Sequence, residues 1–443
     1  MSIESQNMGQ KIINSIDHYT QYKNRCGWDL LLPEYQPRKT LCDDISADVL
    51  IIGAGYTGIA AAKKWREICP DDRIAIIDAS VSGENNSGRN SGFLLEVSLA
   101  NDADAEQINR MNECNLLIAK SAQKIFNEVK DSAIDCQIHR AGTYRAAASE
   151  LGKKSLRDYE NFLKKSGLEY DKLNKDQLHE KLGTNYYSEG LYNPHCYLAQ
   201  PAALIRVLID KLPKSIDLYE NTPALSIKQD EKSWLIITPK ATIRSKKIVI
   251  ANNAFCAKLG FVRSYISPIY TYAAITEPLQ ENELFTLGTE TNWGILPAHR
   301  LGSTLRLTID GRLMIRSLYD YGYERNNVDA SRQLRKSLKF RFPQLTNINF
   351  ESVWGGTTGF TFNGGPIWGE IENNIYISAG CNGGGIVKGT LFGELLAMSA
   401  NQIKVPEIKN LFGSASRMPP EPFRKIGFKL ISMIESKRAK KEI

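Results

Sequence analysis

The chain of 443 residues is 42% hydrophobic and 24% charged, with a formal net charge of +7. That length supports a large core and about three domain-sized units, and that composition excludes a disordered, collagen-like or disulfide-scaffolded body. Residues 401–443 hold ten Lys or Arg against four Glu, so the positive excess is a tail rather than a groove, which argues against a nucleic-acid partner. The eight cysteines form no CxxC and no zinc spacing with histidine, so no metal is expected. Scattered thiols, a polar N-terminus without an apolar export segment, and the lack of any apolar run of about 18 residues predict a cytoplasmic location.

Residues 1–46 read as an irregular arm with one short helix over 9–22, anchored on the body by Trp28, Leu30, Leu31 and Leu32. The character changes at 47. Residues 48–52 (DVLII) fit a buried parallel strand, Gly53 to Gly58 a turn, Ile59–Trp65 an Ala-rich helix and Arg73–Asp78 a second strand, which makes one βαβ unit. Residues 82–92 (SGENNSGRNSG) form a loop too polar to pack. An amphipathic helix spans 102–130, with Ile108, Met111, Leu116, Leu117, Ile118 and Ile125 on one side. A strand at 142–146, surface helices over 150–182 and a helix over 201–212 follow. Strands at 224–228, 234–239 and 247–251 return to the first sheet. Residues 265–275 and 304–318 carry strand alternation, with Leu305, Leu307 and Ile309 on one face, and 331–342 is a basic helix. The last third interleaves glycines with short strands, Ile375–Ala379 among them, before a helix over 386–399. In the tail, Phe423, Ile426, Phe428, Leu430, Ile431 and Ile434 alternate with Arg424, Lys425, Lys429, Lys437 and Arg438. That basic amphipathic helix suits docking on its own domain or contact with a membrane surface.

Gly53-Ala54-Gly55-Tyr56-Thr57-Gly58 is a GxGxxG element between a buried strand and an Ala-rich helix, and Asp78 ends the next strand twenty residues beyond Gly58. This is the dinucleotide fingerprint in its expected context. The helix N-terminus offers free N–H groups to a pyrophosphate, and the Asp78 carboxylate can accept from ribose hydroxyls. The fingerprint does not choose between NAD and FAD. FAD is favoured by the N-terminal position of the motif, by the Gly/Asn loop at 83–92, and by a second glycine cluster at Gly380, Gly383, Gly384 and Gly385 that opens another helix. A helix N-terminus there would stabilise negative charge on a reduced flavin. A loop–helix junction without a ligand is the alternative reading of that cluster.

GAGYTG, the SGRNSG loop (87–92), PIYTYAAITEPL (268–279), DGRLMI (310–315) and GCNGGGI (380–386) stand in the order of a known family. The chain resembles the D-amino-acid-oxidase superfamily of flavoproteins, in its γ-glutamylputrescine-oxidase-like branch, from about residue 25 to 430. The resemblance implies an α/β fold: an FAD-binding Rossmann-like domain of the glutathione-reductase type plus a mixed-sheet α+β substrate domain. The expected division is an arm over 1–46, a discontinuous FAD-binding domain over 47–139, 196–262 and 351–410, a substrate domain over 140–195 and 263–350, and a basic helix over 411–443. It also implies contacts. Gly53 to Gly58 would line the pyrophosphate. Asp78 and Ala79 would hold the adenosine ribose, and Ala224 would present backbone to the adenine. Ser87, Gly88, Arg89, Asn90, Ser91 and Gly92 would wrap the pyrophosphate, ribityl chain and flavin edge. Gly380, Gly383, Gly384, Gly385 and Ile386 would face the isoalloxazine. Three positions depart from the pattern. Thr358 and Asn363 stand where amino-acid oxidisers carry an arginine and an aspartate, so a simple α-amino acid fits less well. Gly356 stands where some members carry a flavin-linking cysteine, which predicts noncovalent FAD.

The implied reaction is oxidation of a C–N bond in a secondary or modified polyamine-like amine. Hydride passes to flavin N5, water hydrolyses the imine to aldehyde and amine, and oxygen or another acceptor reoxidises the flavin. A neutral amine needs desolvation and placement rather than a strong base. Candidate catalytic residues are His299, as a group that lowers the amine's proton affinity or takes its proton, Tyr270 and Tyr272, as walls of the flavin's open side, and Lys388, on the second glycine-turn helix; a structural histidine, core packing for the tyrosines and a solvent-facing lysine are the alternative readings. His139 and His195 have weaker claims. The rival readings are a dehydrogenase delivering electrons to quinone at a membrane and a flavin-binding protein without turnover.

Overall fold

The computed structural model describes residues 22–98, 103–345 and 349–443. The helix expected over 9–22 lies outside the described residues but for Tyr22. Two eight-stranded sheets organise the chain. The first runs, edge to edge, through Ile367–Glu372, Ile375–Ala379, Thr242–Ile250, Ile45–Ile52, Ile74–Ile77 and Ile216–Tyr219, with the hairpin Ser226–Asp230/Ser233–Ile237 paired to the long strand Thr242–Ile250. Its central pairs are parallel. Val49 and Ile51 pack under the helices with Ala61, Trp65 and Leu204, while Leu50 and Ile52 join the opposite cluster with Ala75 and Ile248. Both faces are therefore buried, which is why the strand reads as a continuous apolar run.

The second sheet orders Phe350–Phe360, Ser267–Thr276, Leu313–Tyr321, Thr304–Leu307, Trp293–Pro297, Thr143–Ala147, Glu189–Asn193 and Asp171–Asn174. Its membership moves one expected boundary. Residues 351–360 pair along most of Ser267–Thr276 and so belong to this sheet, not to the first. The strand expected over 304–318 is a hairpin: Asp310-Gly311 turns it, with Gly311 at φ +75°, and Ile309 sits at the turn, 45% exposed, off the face it was expected to share with Leu305 and Leu307. The surface helices expected over 150–182 are Glu150–Lys165 and Lys175–Leu182, parted by the strand Asp171–Asn174. The long helix begins at Ile108, and its Leu116 faces solvent.

The arm is tied down by its polar groups as much as by its apolar ones. Trp28 is buried, but Leu30 is exposed. Asp29 forms a buried ion pair with Arg206. The loop 82–92 is packed, against expectation: Ser82, Gly83, Gly88 and Arg89 are buried, and Asn86–Arg89 is a turn of helix. Its polarity is absorbed by partners within the protein. Glu220 accepts from the Ser82 backbone and hydroxyl, Trp28 Nε1 donates to Asn90 O, and Cys26 Sγ donates to Gly88 O.

Candidate active site

The carboxyl ends of the parallel strands open on one elongated cavity, the usual ligand position in such sheets. Gly53, Gly55, Tyr56 and Thr57 line it after the first strand, Asp78 and Ala79 after the second, Thr222 to Ala224 after the third, and Ala251 to Asn253 after the fourth. The fifth strand leads to Cys381 and Gly383 to Lys388. Two helices aim their N-termini at this space, Tyr56–Ile68 and Val387–Ala400, and no side chain caps either. They meet along Gly389 and Gly393, where a Cβ on Gly393 would overlap the Thr57 carbonyl oxygen. Gly58 does not line the cavity. Its lack of a side chain lets the helix sit on the Gly53 carbonyl, and Gly53 itself takes φ +111°.

Among the described residues, Asp78 is the one acid in the cavity wall. Its carboxylate accepts from Ala54 N at 2.7 Å, Ser80 N at 3.0 Å and Asn85 Nδ2 at 2.6 Å. Loss of hydration pushes its pKa up to about 6, against those three donors. A carboxylate offers about four acceptor positions, so one remains for a ribose hydroxyl. The loop 87–92 forms the middle wall. Tyr56 Oη and Asn90 Nδ2 both donate to Ser87 O, and Gly92 N donates to Asn90 Oδ1. Arg89 touches the cavity, but its guanidinium is spent on the carbonyls of Glu84, Asn24 and Gly355 and lies 4.0 Å from the Tyr22 ring centre. It positions the loop more than it offers a ligand contact. The second glycine turn is braced in the same manner: Asn253 accepts from Gly380 N, and Asn382 accepts from Thr361 N.

The far wall comes from the second sheet. Strand alternation sends Tyr270, Tyr272, Leu305, Leu307, Leu313 and Ile315 to a core under helix Asn327–Arg341, and it sends Thr271, Thr304 and Arg316 to the cavity, beside Leu296 and Gly356. Arg316 is directly opposite Thr304 in the ladder, and its Nε donates to Thr271 Oγ1 at 3.2 Å. No ion pair joins Arg316 to a carboxylate among the described residues.

The protein atoms fit a dinucleotide. Two uncapped helix N-termini suit phosphate and a reduced ring, and Asn252 Oδ1 is buried at the cavity without a partner among the described residues. The sequence profile of the DAO family, "FAD dependent oxidoreductase", matches residues 48–398. The chain belongs to that family. It is an FAD-dependent oxidoreductase. It is 25% identical to the γ-glutamylputrescine oxidoreductase of Escherichia coli over 82% of this chain and 86% of that protein. It is also 25% identical to the probable oxidoreductase OrdL of Rhizobium meliloti, over 86% of this chain and 91% of that one. Glycine oxidase from Geobacillus kaustophilus shares the fold with a TM-score of 0.71 at 19% identity, covering 85% of this chain and all of that one. Iminodiacetate oxidase from Chelativorans shares it with a TM-score of 0.65 at 16% identity, over 84% of this chain and all of that one.

In this flavoprotein most of the residues expected at the cofactor converge on the cavity. Ala54, Gly58, Gly88 and Gly380 do not line it and shape its turns from behind. The expected catalytic set does not converge. Lys388 lines the cavity. Tyr270 and Tyr272 share one face, as their spacing requires, but it is the face covered by helix Asn327–Arg341, and Tyr272 Oη accepts from Arg325 N. His299 is buried away from the cavity, with Nε2 3.3 Å from Glu435 on the C-terminal helix. His139 bridges to Leu198, and His195 lies beside Arg140; neither reaches the cavity. Sequence reading missed Asn252, Thr271, Thr304 and Arg316. The signal for Arg316 was present in the LMIRS run, where a charge takes the register opposite Leu313 and Ile315, but its meaning depended on which face was covered.

Proposed function

We propose that this flavoprotein oxidises the CH–NH bond of an amine that also carries an anionic group, with FAD held noncovalently. A secondary amine bearing a carboxylate, or a polyamine capped at one nitrogen by an acidic group, fits that description. Arg316 carries the reading: a partly buried guanidinium in the cavity wall, steadied by Thr271 and without a carboxylate partner among the described residues. Such a guanidinium recognises a carboxylate through paired hydrogen bonds. It supplies from the second sheet the cation that Thr358 lacks. Relatives named for γ-glutamylputrescine, glycine and iminodiacetate support an amine joined to a carboxylate.

FAD, when bound, supplies a hydride acceptor at N5. The chain's part is to bind the amine neutral, orient its α-carbon and exclude water. With Asp78 at the far, adenosine end, the wall near Arg316 has no acid among the described residues to stabilise an ammonium. The imine product is hydrolysed by water to a carbonyl compound and an amine. The eight cysteines, all unpaired, support a reducing cytoplasmic setting.

Anaerobic mixing of the purified holoprotein with amines tests this reading. Bleaching of the visible flavin band is expected, with the apparent second-order rate rising about tenfold per pH unit below the amine pKa. Acid precipitation is expected to release all colour to the supernatant. Bound flavin that no amine reduces contradicts the reading. Peroxide release on reoxidation separates oxygen from another acceptor.

A further inference from the structure

Helix Phe423–Ala439 touches the body with one side only. Glu435 faces His299 and Arg300, and Phe428 packs on Tyr321 with ring centroids 5.6 Å apart. Partial burial works against the Glu435 charge, but Arg300 and His299 hold its pKa below the ordinary carboxylate value. The opposite side is apolar and open. Phe423 is 66% exposed, Ile426 57%, Leu430 52% and Met433 51%, with Ile434 beside them. At 100° per residue these five fall within an arc of about 100°, opposite Phe428 and Glu435. A helix placed only for its own domain would turn that stripe inward.

We infer that this helix is a peripheral membrane contact that lays its outer apolar stripe into an anionic lipid surface. Lys429 and Arg438 border the stripe and Lys437 stands at its end. Glu435, the only acid of the helix, is already held by the body. Apolar stripe and cationic rim together are complementary to anionic headgroups over acyl chains. A second copy of the chain would bring the same cationic rims together, which disfavours self-association through this face. No helix among the described residues is long and apolar enough to span a bilayer, so the contact lies on the surface.

Cosedimentation of the full-length holoprotein with vesicles tests the inference. Vesicles of phosphatidylcholine with phosphatidylglycerol are expected to bind it, pure phosphatidylcholine vesicles to bind it weakly, and added salt to release it. Leu430→Glu is expected to lower the partition at least about tenfold, and Lys429→Glu with Lys437→Glu at least about fivefold per lysine. These side chains are remote from the cavity, so flavin content and turnover of a soluble amine should be unchanged and will report folding. Failure to sediment with anionic vesicles overturns the inference, as does sedimentation equal in wild type and both variants. A dimer that Leu430→Glu converts to monomer, with no lipid effect, assigns the face to self-association instead and also overturns it.

Discussion

The two walls of the cavity are built by different rules. The cofactor wall is made of strand ends and the turns that follow them, so each piece is contiguous in sequence, and the two glycine turns and Asp78 carry local signatures. The opposite wall, against which we propose the substrate binds, is made of single residues, Thr271, Thr304 and Arg316, selected by alternation from three strands whose pairing spans the chain from 267 to 321. A turn motif announces its own geometry. A strand residue acquires a role only once its partner strands and the covered face are known.

The largest effect should come from damaging a turn. Gly58→Val places a side chain on the Gly53 carbonyl and separates the fingerprint helix from its strand. Overpacking of this kind costs about 1–3 kcal/mol or more and here also misplaces the phosphate-binding N–H groups. The purified variant is expected to be colourless or insoluble, read from its visible absorbance relative to protein. Normal flavin content would show that the close approach is dispensable.

Arg316→Leu should leave flavin content intact and lower kcat/KM for an anionic amine about ten- to a hundredfold, as expected for a lost charge-assisted contact. An equal loss for an uncharged amine would mean that Arg316 shapes the wall without reading charge. The contrast with Gly58 then separates the two walls cleanly: one variant loses the cofactor, the other loses discrimination.

A pH effect belongs to the cofactor wall. The Asp78 pKa is raised in the fold from 3.8 to about 6, so ionisation there opposes folding of the flavin-free protein, whose stability falls as pH rises through that window. Ribose hydroxyls donating to the carboxylate favour its ionised form. Flavin affinity should therefore rise with pH, by up to about tenfold per unit, and level off above about pH 6. Equilibrium titration of the apoprotein at several pH values checks this, and Asp78→Asn should flatten the curve.

The smallest effects are expected where the sequence left chemistry and packing both open and the structure places packing. Tyr272→Phe removes the hydroxyl that accepts from Arg325 N. It should cost about 1 kcal/mol of stability and leave flavin reduction unchanged. A large drop in reduction rate would return Tyr272 to the active site.

The first βαβ unit, the fingerprint and the second glycine turn were legible because apolar runs, glycines and Asp78 lie at fixed short spacings. The packed state of 82–92 was not legible. Its polarity looks solvent-bound until Glu220 and Trp28, remote in sequence, supply partners. Which of its two readings His299 takes, catalytic or structural, was not legible for a related reason. A histidine after a strand suits a base, but its neighbour Glu435 arrives from 136 residues away.

The most direct measurement is an anaerobic reduction series with a matched pair of amines, one bearing a carboxylate and the other its neutral amide, on wild type and Arg316→Leu. The carboxylate amine should reduce wild-type flavin with at least about tenfold higher kred/Kd than the amide, and the preference should vanish in the variant. Equal reduction by both amines in wild type, or no reduction by either, would contradict the assignment of this cavity to an anionic amine.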